Sequence, residues 1–289
     1  MYPSRFHYEA PRSLDEAFGA LQAYGDEAKI LAGGQSLIPL IKLRFAAPAC
    51  IIDINNIPGL DFHDEEADGS LHIGALCRHR TLERSSLLRD KYPTMYATAP
   101  LIADPMVRNR GTLVGSVCHA DPQGDWASVM LAMGGEIIAR KADGSERSIP
   151  VSQFVVGPFQ NALDQGEIAV GARVPAASGT RSGTYLKLER RVGDFATVGL
   201  AVALESSGGT INRAGIALTG VGPNNIQCTA AEQALAGKTL NASTVEEAAR
   251  LAADAAQPKT DVRGSAEFKR HVVYTFVTRA LSNQLARAA

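Results

Sequence analysis

Apolar positions along this chain recur with two periods, and the switches between those periods divide it into units. Leu14, Ala17, Phe18 and Leu21 fall at helical spacing behind Ser13-Leu14-Asp15-Glu16, a capping box, and Gly25 stops the pattern. Lys29-Ile30-Leu31 then predicts a short strand and Ala32-Gly33-Gly34-Gln35-Ser36 a glycine turn. Leu37, Leu40 and Ile41 form the face of a helix that tolerates Pro39 in its first turn. Residues 50–54 predict a second strand, ended by the turn signal Asn55-Asn56-Ile57-Pro58-Gly59. Residues 1–56 are therefore expected to form a β-turn-α-β unit.

A second unit is expected over 57–176. After an exposed acidic loop at 64–68, residues 71–75 predict a strand, and 81–88 and 94–103 predict helices. A further helix follows from Asp125, which the spacing favours as its cap, and 135–140 with 146–149 predict a hairpin about Ala142-Asp143-Gly144-Ser145. The stretch 174–184 is expected to be a linker. Beyond it, 185–191, 198–204 and 211–218 predict a three-stranded antiparallel meander. Three helices follow, opened by Thr229-x-x-Glu232, Ser243-x-x-Glu246 and Ser265. The class is α+β, with domains expected at 1–176 and 177–289.

At 289 residues and 45% hydrophobic content the chain is an ordinary globular protein. Its 29 basic and 30 acidic residues leave a net charge of -1, so no global field attracts nucleic acid or an anionic membrane. No apolar run approaches the ~18 residues of a membrane helix, and no signal-type core follows Met1; the expected compartment is cytoplasmic. Cys50, Cys77, Cys118 and Cys228 show no metal-site spacing, and His63, His72, His79 and His119 show no helical pairing, so no metal is expected. Reduced buried thiols and structural or surface histidines are the expectation.

The glycine turn at Gly33-Gly34 suits an anion cradle. Backbone N–H groups converge there without a Cβ, and a helix start with Ser36 as cap adds partial positive charge. Taken alone such a turn is more often only a turn. A second glycine loop, Gly111-Thr112-Leu113-Val114-Gly115-Ser116, makes a clasp on a diphosphate plausible. Asp121 and Asp125 suit ribose hydroxyls as well as capping. Gly220-Val221-Gly222-Pro223 lacks the third glycine of a dinucleotide fingerprint, and no ATP-binding P-loop occurs. Trp126 reads as core and 187–191 as a solvated strand edge. No catalytic acid, base or nucleophile constellation stands out.

Several blocks in order carry a resemblance: Ala32-Gly33-Gly34-Gln35-Ser36-Leu37-Ile38-Pro39, Asp104-Pro105 with Arg110-Gly111-Thr112, Cys118-His119-Ala120-Asp121-Pro122 with Asp125, Gly166-Glu167-Ile168, and Arg191-Val192-Gly193-Asp194-Phe195-Ala196. Over essentially its whole length the chain resembles the FAD-binding medium subunit of the molybdenum hydroxylases. The pattern of aerobic carbon monoxide dehydrogenase is nearer than that of xanthine dehydrogenase. The resemblance implies a two-part FAD-binding domain of the PCMH type and a C-terminal domain of antiparallel sheet plus helix bundle. It implies that Ile30, Leu31, Ala32, Gly33, Gly34, Gln35, Ser36 and Leu37 form the first diphosphate loop and Thr112, Val114, Gly115 and Ser116 the second. By the same resemblance Ala103 lies beside the flavin, Cys118 and Asp125 near the adenosine part with Asp125 toward the ribose, Ile168 and Ala169 against the cofactor, and Lys187 and Phe195 near the isoalloxazine; Asp121 stays a cofactor-binding candidate through its carboxylate.

Three positions depart from the family pattern. Val114 stands where the second loop has a glycine, so its N–H is expected to bind without φ freedom or not at all; Phe195 replaces a tyrosine; Ala169 replaces a leucine. The implied function is that of an electron-transfer flavoprotein. A large partner subunit holds molybdenum-pterin and a small one holds [2Fe-2S] clusters, in a dimer of heterotrimers; electrons pass through FAD here to an external acceptor. Membrane contact arises only through that acceptor. A stand-alone flavin oxidase, or a non-redox scaffold whose nucleotide site has lapsed through Val114, is the alternative. The substrate of the complex, whether carbon monoxide, an N-heterocycle or an aldehyde, stays open.

Overall fold

The computed structural model describes residues 2–288. Helix Leu14–Tyr24 begins at Ser13, whose Oγ accepts the Glu16 N–H, and ends at Gly25 with φ of 53°. Strand Ala28–Leu31 and helix Leu37–Lys42 flank the glycine turn, and strand Cys50–Asp53 pairs in parallel with Ala28–Leu31. A third parallel strand, His7–Glu9, pairs on the other side of Cys50–Asp53. It is exposed and polar, so no apolar periodicity announced it. The expectation for Ser36 fails: its backbone is helical and its side chain makes no capping bond.

The second unit is built on a five-stranded antiparallel sheet in the order His63–Glu65, Leu71–Gly74, Ile168–Val174, Glu136–Arg140, Glu146–Pro150. The acidic stretch thus contributes an edge strand, where charged side chains are suited to solvent. The helices expected at 81–88 and 94–103 are broken instead into His79–Glu83, Ser86–Lys91 and Pro93–Thr98, followed by a 3₁₀ turn at Ala99–Leu101. Ser85 caps the second of these and Pro93 starts the third, so turn chemistry overrides the longer apolar period.

The meander forms as strands Thr180–Leu188, Val198–Ser207 and Thr210–Thr219, with a short fourth strand, Ile226–Gln227, that the sequence did not announce. Only 175–179 remains of the expected linker. Helices Thr229–Leu235, Ala242–Ala255 and Ala266–Ala288 follow. Their caps differ from expectation. Thr229 makes none, while Glu232 accepts the Ile216 N–H at 2.8 Å; the second helix is capped two residues earlier than expected, by an Asn241–Thr244 capping box rather than by Ser243. Ser265 does cap the third, accepting the Phe268 N–H.

Both faces of the C-terminal sheet are buried, which explains the uninterrupted apolar run at 198–204. Val198, Leu200, Val202 and Leu204 face the last helices, whereas Ala201, Ala203, Ala217 and Tyr185 face the first core. The small residues admit helix Asp125–Met133, which is buried along its whole length; a Cβ on Gly215 would strike the Ala132 carbonyl. That helix is the strut joining the two cores. No helix among the described residues is long and apolar enough to cross a membrane.

Candidate functional site

A cavity of about 560 Å³ opens between the glycine turn, the second glycine segment, the strand Ile168–Val174 and the turn before Val198–Ser207. Its size falls in the range of about 300–1,000 Å³ usual for ligand pockets. The first loop lines it continuously from Ile30 to Leu37. Gly34 has φ of 74°, a conformation a side chain rarely adopts. Gly33 also serves the contact between the two loops. A Cβ there would run into the Arg110 carbonyl and lie 2.7 Å from Gly111 Cα, so the glycine lets the two loops touch.

The second loop is largely a helix start. Thr112 is the cap of helix Leu113–His119, and its Oγ1 accepts the Gly115 N–H at 3.1 Å. Val114 therefore sits in the first turn with ordinary helical geometry, and its N–H belongs to the set a helix leaves without an internal partner. It needs no glycine-like φ, which removes the reason to read the site as lapsed.

Arg78 ties the loops together. Its Nη1 donates to the Arg110 carbonyl at 2.7 Å and its Nη2 to Asn55 Oδ1, while Asn55 Nδ2 donates to the Ala32 carbonyl at 2.8 Å. Asp53 holds Asn55 by accepting its backbone N–H, and Tyr8 OH donates to the same carboxylate at 2.6 Å. Burial holds the Arg78 guanidinium below its usual value, and the neighbouring Arg110 charge adds to this. Arg78 carries no sequence signal and Asn55 signals only a turn; their roles at the loops depend on contacts across more than twenty residues.

Further along, Asp125 does not cap its helix. Its Oδ1 accepts from Tyr185 OH at 2.6 Å and its Oδ2 from Lys187 Nζ at 3.0 Å, and Lys187 also donates to the Leu101 carbonyl. The Lys187 side chain is only 3% exposed, which corrects the solvated-edge expectation. Burial pushes the Asp125 carboxyl up, against the pull of Lys187 and Tyr185, and burial followed by the Asp125 charge raises the Tyr185 hydroxyl. The salt bridge places the Asp125 and Lys187 side chains together on one part of the cavity wall.

Phe195 stands at the mouth, 51% exposed. The Gly193 turn before it leans on Ala103, where a Cβ would come 3.1 Å from the Ala103 carbonyl, and Arg263 Nη1 donates to the Phe195 carbonyl at 2.7 Å. Ala103 itself has φ of 43° and its carbonyl accepts from Arg108 Nη1. Ile168 and Ala169 form a wall, held where Glu167 pairs with Arg147 and accepts the Asp164 N–H. Cys118 also borders the cavity, with burial pushing its thiol up to about 12, so it is a protonated wall group.

Every candidate residue except Asp121 lines this one cavity. Asp121 turns away to accept the Gln123 N–H. His79, expected only in a structural or surface role, is brought to the site as well. It lines the cavity and is 4% exposed, and its Nδ1 accepts from Trp126 Nε1 at 3.0 Å. Burial, with Arg108 and Arg78 nearby, lowers its imidazole to about 3. Among the described residues, no group of three His, Cys, Asp or Glu side chains is placed to hold a metal.

An α+β scaffold with two crossed backbone loops on a cofactor-sized cavity, roofed by a second sheet, defines a class of protein built to hold a large ligand. Residues 4–177 match the FAD binding domain in molybdopterin dehydrogenase, and 183–284 match the CO dehydrogenase flavoprotein C-terminal domain. The chain is 38% identical over 289 residues to the carbon monoxide dehydrogenase medium chain of Hydrogenophaga pseudoflava, covering 100% of both. It is 37% identical over 290 residues to the 6-hydroxypseudooxynicotine dehydrogenase complex subunit alpha of Paenarthrobacter nicotinovorans, covering 100% of this chain and 97% of that one. A solved Hydrogenophaga pseudoflava carbon monoxide dehydrogenase that lacks the Mo-pyranopterin moiety superposes with a TM-score of 0.93 at 40% identity over 99% of each chain. The chain belongs to the family of FAD-binding medium subunits of molybdopterin dehydrogenases.

Proposed function

We propose that this chain holds FAD for electron transfer within a molybdenum-containing hydroxylase. It would stand between the [2Fe-2S] clusters of a small partner and an external acceptor, with substrate oxidised at the molybdenum-pterin of a large partner. The reading takes 1–176 as the FAD-binding domain, with parts at 1–56 and 57–176, and 177–289 as the C-terminal domain, in a cytoplasmic dimer of heterotrimers. The observation that carries it is the convergence on one cavity of separated residues that the resemblance singles out: Ile30 to Leu37, Ala103, Thr112 with Val114 to Ser116 and Cys118, Asp125, Ile168 with Ala169, and Lys187 with Phe195.

The residues fit the cofactor. Gly33 lets the two loops cross where a Cβ would strike the Arg110 carbonyl, Gly34 turns the backbone at a φ of 74°, and the Thr112 cap presents the first turn of a helix to an anion. Lys187, buried and paired, keeps a cation beside the ring system, and Phe195 covers the mouth. FAD supplies the chemistry, accepting and passing on electrons, while the chain binds, orients and shields it. Absorbance of the purified chain after incubation with FAD and gel filtration tests the reading. A yellow protein with about one flavin per chain supports it; a colourless chain that takes up none overturns it. Oxidation of organic substrates by the yellow chain alone would favour a stand-alone oxidase.

A further inference from the structure

His79 is enclosed, borders the cavity, and plays no part in the contacts so far assigned to the cofactor. Trp126 fixes its proton. The indole N–H is a donor only, so the Nδ1 that accepts it at 3.0 Å carries no hydrogen, and the neutral ring holds its proton on Nε2. Trp126 is itself 0% exposed on the buried strut, and the His79 backbone N–H is anchored on the Gly111 carbonyl at 2.9 Å, so the ring has little freedom to turn. Its Cδ2–Nε2 edge lies against Gly111, where a Cβ would come within 2.7 Å of both atoms. Gly111 is also the residue whose Cα nearly meets Gly33, so this edge stands at the crossing of the two loops. Among the described residues Nε2 has no hydrogen-bond acceptor. The atom is not fully buried, since the ring borders the cavity, and a cofactor oxygen at the crossing would accept its hydrogen.

Resting on the flavin reading above, we infer that His79 is a binding residue for the cofactor diphosphate, with its Nε2–H donating to a phosphate oxygen held between the loops. The charge balance suits this role. Arg78 and Arg108 already supply cations nearby, and they and burial keep the imidazole uncharged, so it adds direction rather than charge. Replacing Gly111 by a larger residue would cover the donor, which gives that glycine a purpose beyond the loop contact.

The full chain is stripped of flavin and titrated with FAD, and separately with ADP, for wild type, His79→Gln and His79→Leu. Glutamine keeps an N–H donor at about the reach of Nε2; leucine does not. The expected result is about a tenfold loss of affinity for both ligands in His79→Leu, recovery to within about threefold in His79→Gln, and a moved ³¹P resonance of bound FAD in the leucine variant only. Wild-type affinity and unmoved ³¹P resonances in His79→Leu overturn the inference, as does a loss seen with FAD but not with ADP. A wild type that binds no FAD overturns the flavin reading instead. If His79→Leu does not fold, ¹⁵N-histidine spectra of wild type decide: the Nε2–H signal acquires coupling to phosphorus on adding FAD, and its absence overturns the assignment.

Discussion

Mild acid should destabilise this chain through His79. Its imidazole titrates at about 3 in the folded protein against 6.5 for an ordinary histidine, because burial and the charges of Arg108 and Arg78 oppose the cation. Above 6.5 both folded and unfolded chains carry it neutral, and it makes no difference. Below that value the unfolded chain takes up a proton that the folded one refuses, so stability falls as pH drops from 6.5 toward 3. Each pH unit in that window removes about 1.4 kcal/mol, which amounts to about 2 kcal/mol by about pH 5. Asp125 and Glu232, both pushed up by burial, act with the opposite sign but are common to wild type and variant. The assay is urea unfolding of the flavin-free chain at about pH 7, 6 and 5, followed by the fluorescence of Trp126, the single tryptophan, which sits on the His79 ring. The gap between wild type and His79→Gln should close by about 2 kcal/mol from about pH 7 to 5, with wild type losing more. Parallel profiles for the two proteins would refute the reasoning.

Gly33→Ala should cost both thermal stability and FAD occupancy, since the new Cβ meets Arg110 and Gly111; a flavin-replete variant with an unchanged melting temperature would contradict the loop crossing. Arg78→Met should weaken FAD binding about tenfold in equilibrium dialysis by unlinking the loops, with the melting temperature changing little once FAD saturates. Lys187→Met leaves Asp125 buried and uncompensated and should destabilise by about 3–5 kcal/mol in urea unfolding, whereas Lys187→Met with Asp125→Leu should recover most of it. Phe195→Ala should raise iodide quenching of bound flavin and change acceptor reduction rates without altering substrate oxidation by the assembled complex; identical rates with every acceptor would remove the role at the mouth.

Much of the fold is local and could be read directly. The strand, glycine turn and helix about Gly33-Gly34, the hairpin at 136–150 and the long antiparallel strands each rest on residues near one another in the chain, where periodicity and turn chemistry act. The breaks at Ser85 and Pro93 and the strands His7–Glu9 and His63–Glu65 escaped, because caps overrode a longer period and edge strands need no apolar face. Resemblance in the motif blocks supplied the candidate residues, and nearly all of them converge on one cavity.

By itself the sequence determined the local elements, the family and the first glycine loop, since each is written in neighbouring residues. How the two loops meet, and what holds them, depends on contacts between distant segments. Gly33 is demanded by Gly111 from a distant segment, Arg78 reaches both loops, Asp125 gives up a cap for Tyr185 and Lys187 some sixty residues away, and Trp126 sets the proton of His79 across 47 positions. Such pairings exist because burial leaves a polar group no water to turn to, and the partner it finds is set by the fold rather than by spacing.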